Sequence, residues 1–276
     1  MGYRLLSTLV LWGGLLFTLR WGGIVAGAWA VAVFSFLAQR EVNRLLQNLG
    51  YWVPEVLLLS VAFSFPLVVW YTPRCSLEWI GLYTVVLSLV GLRKNSKNQA
   101  DKGLVCAGTL FSFVYVPFNF HFLILMAKDL LVFGEKVGMG GMVWLTATAK
   151  FTDVGGFLMG SLVGKHPLAL SISPSKTWEG VGGGVLISAL VSATLAYLFP
   201  DFLPPSLTPL WAAILSFPIA LVATASDLLE SQLKRLAKVK DSGRIVPGIG
   251  GVLDLTDSLL LTFPVGFLLC KYILLG

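Results

Sequence analysis

Apolar runs of about 20 residues recur along the chain, and they constrain its fold more than any other feature of the sequence. A run of that length crosses the hydrocarbon core of a bilayer as a helix. The composition agrees, because 56% of the 276 residues are hydrophobic and only 12% are charged, about half the charged fraction of soluble domains. These values exclude a soluble globule, a disordered chain and a coiled coil, and they predict an all-α, polytopic integral membrane protein.

The apolar stretches predict about nine transmembrane helices, since backbone amides in lipid must be paired within their own segment. Lys and Arg concentrate in four polar stretches, which are therefore predicted to face the cytoplasm. Because 93–102 and 164–179 must then share a side, residues 103–133 are interpreted as one span kinked at Pro117. A version with eight spans, in which 5–39 forms a re-entrant pair, fits nearly as well. The apolar stretches are 5–19, 21–39, 55–72, 77–92, 103–133, 139–163, 180–198, 209–225 and 252–275, and the basic or mixed ones are 40–54, 93–102, 164–179 and 226–251.

Polar chemistry is distributed unevenly between the two halves of the chain. Residues 1–136 are predicted to be a scaffold of transmembrane helices, in which Arg20 separates the first two spans, and residues 137–276 are predicted to be the catalytic region. The three cysteines are odd in number and far apart, so they indicate neither a disulfide framework nor a zinc site. In such a protein the net charge of +6 indicates cytoplasmic loops and anionic headgroups, not a nucleic-acid partner.

Two similar acidic patterns lie near the C-terminus. Residues 227–231 and 254–258 both have the order acid, two residues, acid, Ser. Side chains three and four residues apart share one face of a helix, so each segment is expected to present two carboxylates together. Acids at a membrane edge are costly and by default indicate a functional site, and Mg²⁺ prefers carboxylates together with substrate phosphates. The pattern therefore predicts a site for a hard cation. Its four acids are Asp227, Glu230, Asp254 and Asp257.

Five cations within eleven residues lie between these acids, and a glycine run follows them. A dense cationic segment beside a metal site suits a polyphosphate, and Gly250 and Gly251 would let backbone amides approach phosphate oxygens. Taken alone, such a basic run is usually a topology determinant, and such glycines are usually packing contacts. The paired acids, which topology does not require, favour a functional role. The cations are Lys234, Arg235, Lys238, Lys240 and Arg244.

Two further polar constellations precede this region. Ser173-Pro174 predicts a turn, after which Lys176 and Glu179 begin the next apolar helix. Asp153 lies well inside an apolar stretch, so its carboxylate is predicted to face a cavity, a cation or a base. Purely structural interpretations stay open, with Glu179 as a partner of the helix dipole and Lys176 as an anchor at the membrane surface.

Three ordered motifs lie within about 105 residues of the C-terminal half. They are D-x-G-x-F at 153–157, S-P-x-K-T-W-E-G at 173–180, and S-x-L-K-R-x4-K-D-S-G-x3-P-x2-G-G-x2-D-x2-D at 231–257. In this order they closely resemble the phosphatidate cytidylyltransferase family, also called CDP-diacylglycerol synthase. The family usually has His at the position of Ile249, Arg at that of Leu255 and Gly at that of Ser226. The first two departures remove polar groups near the expected phosphate site.

The resemblance implies transfer of the cytidylyl group of CTP to phosphatidate, giving CDP-diacylglycerol and pyrophosphate. It also implies the cell (inner) membrane with cytoplasmic active-site loops, Mg²⁺ as cofactor with K⁺ as a candidate second cation, and a homodimer. Both reactants are anions, so charge neutralisation is the main catalytic task. The attacking phosphate is already ionised near neutral pH, which makes the missing His tolerable.

The resemblance also implies roles for individual residues. Asp227 and Asp254 are expected to coordinate Mg²⁺, with Glu230, Asp257 and Asp153 around that ion or at a second cation. Asp241 is counted with the catalytic residues because it shapes the loop. The groups expected to bind CTP phosphates or the lipid headgroup are Lys176, Lys234, Arg235, Lys240, Arg244, Gly250 and Gly251.

Three alternatives stay open from the residues alone. One is a CTP-dependent enzyme that acts on another lipid phosphate. Another is a catalytically weakened scaffold, which the departures at Ile249 and Leu255 suggest. The third is a cation-coupled transporter that uses the same acids as ion sites.

Overall fold

The computed structural model describes residues 2–93, 99–246, 248 and 250–275. Residues 94–98 of the predicted basic stretch 93–102, and Pro247 and Ile249 of the third motif, lie outside the described residues. Within them the chain is mainly helical. The helices are α1 Gly2–Asn48, α2 Glu55–Tyr71, α3 Ser76–Arg93, α4 Gln99–Tyr115, α5 Pro117–Leu130, α6 Glu135–Val163, α7 Trp178–Leu198, α8 Pro209–Leu236, α9 Val252–Thr256 and α10 Thr262–Leu269, and a π-helical turn covers Cys270–Leu274.

Five helical segments of the described chain are long and apolar enough to cross a membrane. Two shorter apolar helices, Glu55–Tyr71 and Thr262–Leu274, accompany them. The predicted fold class, an all-α polytopic membrane protein, is confirmed, whereas the predicted count of nine spans is not. The five segments are Leu16–Asn48, Pro73–Leu92, Gly103–Phe133, Trp178–Leu198 and Pro209–Leu236.

The N-terminal helix is interrupted at a glycine and not at the arginine that the sequence singled out. Gly23 has φ 64° and ψ −165°, a conformation that glycine adopts without steric cost, and α1 is helical on both sides of it. Arg20, predicted to separate the first two spans, lies inside the helix. The segment 103–133 behaves as expected: α4 and α5 are separated only at Val116, directly before Pro117, and together they form one candidate span.

A short β-hairpin lies between α6 and α7, where the sequence predicted only a turn. Strands β1 (Pro167–Ala169) and β2 (Ser173–Thr177) pair antiparallel, so the turn lies at 170–172 and the prediction of a turn at Ser173-Pro174 is wrong. Pro174 is compatible with a strand here because each strand of a two-stranded hairpin has a free edge. The Thr177 hydroxyl accepts the Gly180 amide (3.1 Å) and caps α7.

The chain divides into two compact units, and the first contains Met1–Leu125 and Leu233–Thr256. In this unit α1 packs against α2, α4 and α9. A buried polar group joins α1 to α4: Gln39 Nε2 donates to Asn43 Oδ1 (2.7 Å) and to Ser112, and Ser112 Oγ donates to Asn43 Oδ1 (3.1 Å). Such hydrogen bonds between helices fix their register where apolar packing alone gives little preference.

The second unit contains Met126–Gln232 and Asp257–Gly276. Its helices α6 and α7 approach so closely that a Cβ on Gly155 would lie 2.8 Å from the Gly183 carbonyl. The glycine-rich start of α7 therefore packs within the chain, and it offers no argument for the homodimer. Trp144 Nε1 donates to Ser192 Oγ (2.9 Å), which donates to the Ala212 carbonyl (2.8 Å) and joins α8 to this pair. The functional division into 1–136 and 137–276 stays a prediction.

Candidate active site

Three carboxylates of the second unit converge at one place, which we call the acidic cluster: Asp227, Glu230 and Asp257. One oxygen of each lies within 4.8 Å of the others. Asp227 and Glu230 are one turn apart on α8, as their spacing predicted, and Asp257 follows α9. Crowded like charges are unfavourable unless a cation or a proton relieves them, and oxygen ligands at such separations suit a hard divalent ion.

Asp257 is fixed in the acidic cluster by backbone contacts. The Ser226 hydroxyl donates to the Asp257 carbonyl and accepts the Leu261 amide (3.3 Å), which ties α8 to the turn after α9. The Ser258 amide donates to Asp257 Oδ1 (2.6 Å). Ser226, where the family usually has Gly, therefore has a structural function in this chain.

Two lysines of the same unit pair with these acids. Lys176 on β2 forms an ion pair with Asp227, so the hairpin delivers a cation to the acidic cluster. Lys150 on α6 contacts Asp257 Oδ1 (2.9 Å) and Asp153 Oδ2 (3.5 Å). Asp153 thus faces a base, one of the three surroundings predicted for it. Lys150 was given no role from the sequence, although its spacing of three residues from Asp153 is typical of paired side chains on a helix.

Asp254 lies in the first unit and has different surroundings, which we call the Asp254 centre: Asp254, Lys234, Ser242 and Gly251. Lys234 Nζ donates to Asp254 Oδ1 at 2.7 Å. Asp254 Oδ2 accepts the Gly251 amide (2.6 Å), the Ser242 amide (3.0 Å) and the Ser242 hydroxyl (2.9 Å). Donors on both oxygens favour the ionised carboxylate and hold the loop 242–251 against the start of α9.

The predicted phosphate-binding residues of this loop have two kinds of position. A Cβ on Gly250, whose φ is +128°, would lie 2.5 Å from Asp254 Oδ2, so this glycine makes room for a carboxylate. Gly251 is buried, whereas four of the nearby groups predicted for binding or catalysis are solvent-accessible, where they can meet a dissolved ligand. Exposed are Arg235, Lys240, Asp241 and Arg244.

Glu41, a fully buried residue of α1, was also not predicted from the sequence. Its carboxylate accepts the Val252 amide (3.0 Å), the Leu253 amide (2.7 Å) and the Ser242 hydroxyl (2.8 Å). A signal was present in the sequence, because Glu41 is the first acid of the chain and Glu55 is the next. The predicted metal ligands Asp227 and Asp254 belong to the second and the first unit respectively, and their joint coordination of one ion stays a prediction.

Comparison with known proteins covers both halves of the chain. Residues 2–273 match the model of a family described as the cytidylyltransferase family. The phosphatidate cytidylyltransferase of Mycobacterium leprae (strain TN) is 34% identical over 254 residues, which cover 87% of this chain and 76% of that protein. The phosphatidate cytidylyltransferase of Staphylococcus epidermidis (strain ATCC 12228 / FDA PCI 1200) is 30% identical over 251 residues, which cover 87% of this chain and 90% of that protein.

These matches confirm the resemblance seen in the three motifs and extend it over the N-terminal helices. They favour neither the transporter nor an enzyme for another lipid phosphate. With the acidic cluster and its lysines in place, the conclusion is that the chain belongs to the cytidylyltransferase family.

Proposed function

We propose that this protein transfers the cytidylyl group of CTP to phosphatidate, giving CDP-diacylglycerol and pyrophosphate for phospholipid synthesis. A phosphate oxygen of phosphatidate forms a bond to the α-phosphorus of CTP. The bond between that phosphorus and the oxygen that bridges it to the β-phosphorus breaks, and pyrophosphate leaves. The observation that carries the proposal is the acidic cluster with Lys176, in a chain that matches the family over residues 2–273.

The acidic cluster fits the divalent ion that this chemistry requires. Asp227, Glu230 and Asp257 offer three converging oxygens, and Mg²⁺ prefers such ligands together with substrate phosphates. Mg²⁺, when bound, neutralises phosphate charge and aligns the reacting groups. The assignment of Asp254 to the same ion is kept as part of the proposal.

The second cation, with K⁺ as candidate, has less support. Lys150 already places an ammonium group between Asp153 and Asp257. A lysine there supplies a fixed positive charge that needs no ion from solution. K⁺ therefore stays a prediction from the family resemblance alone, and so does the homodimer.

The cationic side chains of the site have two tasks in the proposal. Lys176 and Lys234, each paired with an Asp, contribute charge beside the reacting phosphates. The exposed Arg235, Lys240 and Arg244 attract the triphosphate of CTP from solution. No residue has to remove a proton from the attacking phosphate, because a phosphate monoester is ionised near neutral pH.

The location follows from the same chemistry. The lipid tails of phosphatidate stay in the bilayer, so its headgroup meets the site at the membrane surface. CTP is a soluble nucleotide of the cytoplasm, and the loops 164–179 and 226–251 are rich in Lys and Arg. We therefore place the protein in the inner membrane with these loops in the cytoplasm.

The test is incubation of the purified protein with CTP labelled at the α-phosphate, phosphatidate and Mg²⁺. We expect label in a lipid-soluble product and stoichiometric pyrophosphate, and neither when EDTA replaces Mg²⁺. An isoprenyl phosphate and an archaeal-type ether-lipid phosphate, supplied in parallel, should accept little label. Absence of product from phosphatidate, or preferential labelling of another lipid, would contradict the proposal.

A further inference from the structure

Glu41, near the N-terminal end of the sequence, binds the loop 242–251 and the start of α9. It lies on α1 with 0% of its surface exposed, and its carboxylate accepts three hydrogen bonds. Two come from the Val252 and Leu253 amides at the start of α9, and one comes from the Ser242 hydroxyl. Amides in the first turn of a helix have no partner within it, so Glu41 satisfies donors that would otherwise be buried unpaired.

The loop backbone is shaped around this carboxylate. A Cβ on Gly243 would lie against Glu41 Oε1, and a Cβ on Gly251 would lie against Glu41 Oε2, each far inside van der Waals distance. Both glycines belong to the third sequence motif. Their lack of a side chain is therefore explained by close approach to Glu41.

Ser242 connects Glu41 to Asp254. The Ser242 hydroxyl lies 2.8 Å from Glu41 Oε2 and 2.9 Å from Asp254 Oδ2, and its one hydrogen serves both acceptors. The Ser242 amide donates separately to Asp254 (3.0 Å), and the Leu253 amide held by Glu41 belongs to the residue next to Asp254. A change at Glu41 therefore reaches Asp254 through a side chain and through the backbone.

We propose that Glu41 is a positioning residue for catalysis, which holds the loop 242–251 and Asp254 in the arrangement that transfer requires. The inference rests on the proposed function, because it assigns Glu41 a purpose in that reaction. A carboxylate suits this position, since its two oxygens accept hydrogen bonds from three donors. The hydrogen bonds of Glu41 within the described part of the chain come from Ser242, Val252 and Leu253, none of which the proposal places against substrate phosphates.

The experiment compares full-length Glu41→Gln and Glu41→Asp with the wild type and with Glu78→Gln, a change at an exposed glutamate of α3. Each purified protein is assayed for CDP-diacylglycerol formation over a range of CTP concentrations. We expect Glu41→Gln to lower kcat by about 10-fold to 100-fold, as for residues that orient metal ligands, with KM for CTP changed less than about threefold. Glu41→Asp retains the charge and is expected to recover part of kcat, and Glu78→Gln should match the wild type.

A second readout does not depend on activity. Arg244 is exposed on the loop, so the rate of tryptic cleavage after it reports how firmly the loop is held. Glu41→Gln should accelerate this cleavage at unchanged thermal unfolding of the helices. Ser242→Ala, which removes only the hydroxyl link to Asp254, should lower kcat less than Glu41→Gln does, and it gives the same comparison if Glu41→Gln does not fold.

The outcomes distinguish failure of the proposed function from failure of the role of Glu41. If the wild type forms no liponucleotide, the proposed function fails, and the positioning role fails with it. If the wild type is active and Glu41→Gln retains its kcat, only the inference on Glu41 is overturned. A fall in kcat without faster cleavage after Arg244 would also overturn it, because the loop would then be held without Glu41.

Discussion

Asp227 and Asp254 hold equivalent positions in the two acidic patterns, but the acidic cluster and the Asp254 centre to which they belong have different surroundings. In the acidic cluster, oxygens of three carboxylates lie within 4.8 Å of one another. In the Asp254 centre, one carboxylate accepts from Lys234, from two backbone amides and from a hydroxyl. The first arrangement concentrates negative charge, whereas the second distributes one charge over several donors.

This difference indicates that repeated acidic motifs do not imply repeated roles. Converging carboxylates repel one another, and a divalent ion relieves that repulsion while it binds phosphate. A carboxylate surrounded by donors is stable without an ion, and it orders the chain that supplies those donors. We therefore expect the acidic cluster to act mainly on substrate and the Asp254 centre to act also on loop structure.

The strongest test of this contrast is Asp227→Asn. It removes one charge from the acidic cluster and the partner of Lys176 while retaining the side-chain volume. We expect kcat for CDP-diacylglycerol formation to fall by about a thousandfold, as for loss of a principal electrostatic group, with normal folding. Asp201→Asn, at an exposed acid before α8, is the matched control. Turnover within tenfold of the wild type would remove the acidic cluster from the mechanism.

A smaller effect is expected for Asp254→Asn, and of a different kind. The asparagine side chain retains one acceptor oxygen, but its NH₂ group faces either Lys234 or the loop amides, which are donors themselves. We expect kcat to fall by about a hundredfold, together with faster tryptic cleavage after Arg244, which Asp227→Asn should leave unchanged. Identical cleavage profiles for the two variants would show that the two acids do not differ in the way we describe.

Third in size is Lys150→Met, which leaves Asp153 and Asp257 without their shared cation. Removal of one partner from a buried ion pair costs about 3–5 kcal/mol, so the free energy of unfolding should decrease by that order. Thermal unfolding of the detergent-solubilised protein measures it, with Lys136→Met as a control at an exposed lysine of α6. An unchanged unfolding temperature would mean that Lys150 contributes nothing to holding these acids.

The smallest effect is expected for Ser226→Ala. The hydroxyl makes two contacts, with the Asp257 carbonyl and the Leu261 amide. Their loss should destabilise the protein by about 1 kcal/mol and change kcat by less than about threefold. A loss of kcat as large as that of Asp227→Asn would indicate that the backbone of Asp257, and not only its carboxylate, is essential.

Features that depend on local periodicity were predictable from the sequence. The length of the apolar stretches predicted the helices, because a backbone in lipid must form its hydrogen bonds within its own segment. The spacing of Asp227 and Glu230 placed them on one helical face, since residues three apart are neighbours there. Pro117 marked the break between α4 and α5 because it has no amide hydrogen to donate.

Features that depend on distant contacts were not predictable. Glu41 is separated from Ser242 by 201 positions in the chain, and no periodic pattern relates them. In the sequence nothing links Lys150 to Asp257, and their ion pair exists only because the fold brings the two residues together. Two local features were missed for a different reason. The hairpin at 167–177 is too short to show an alternating pattern, and the break at Gly23 instead of Arg20 is a single backbone conformation that hydropathy does not indicate.

The fit of Gly243 and Gly251 around Glu41 has a consequence for recombining relatives of this enzyme. A chimera that joins one parent's N-terminal helix to another parent's C-terminal half inherits the acid and the glycines from different sources. If the acid faced a residue bulkier than glycine, the two side chains would overlap and the acid could not keep its position. If the glycines faced no acid, the amides at the start of α9 would lose their acceptor. Crossover points are therefore best chosen so that both partners of this fit come from one parent.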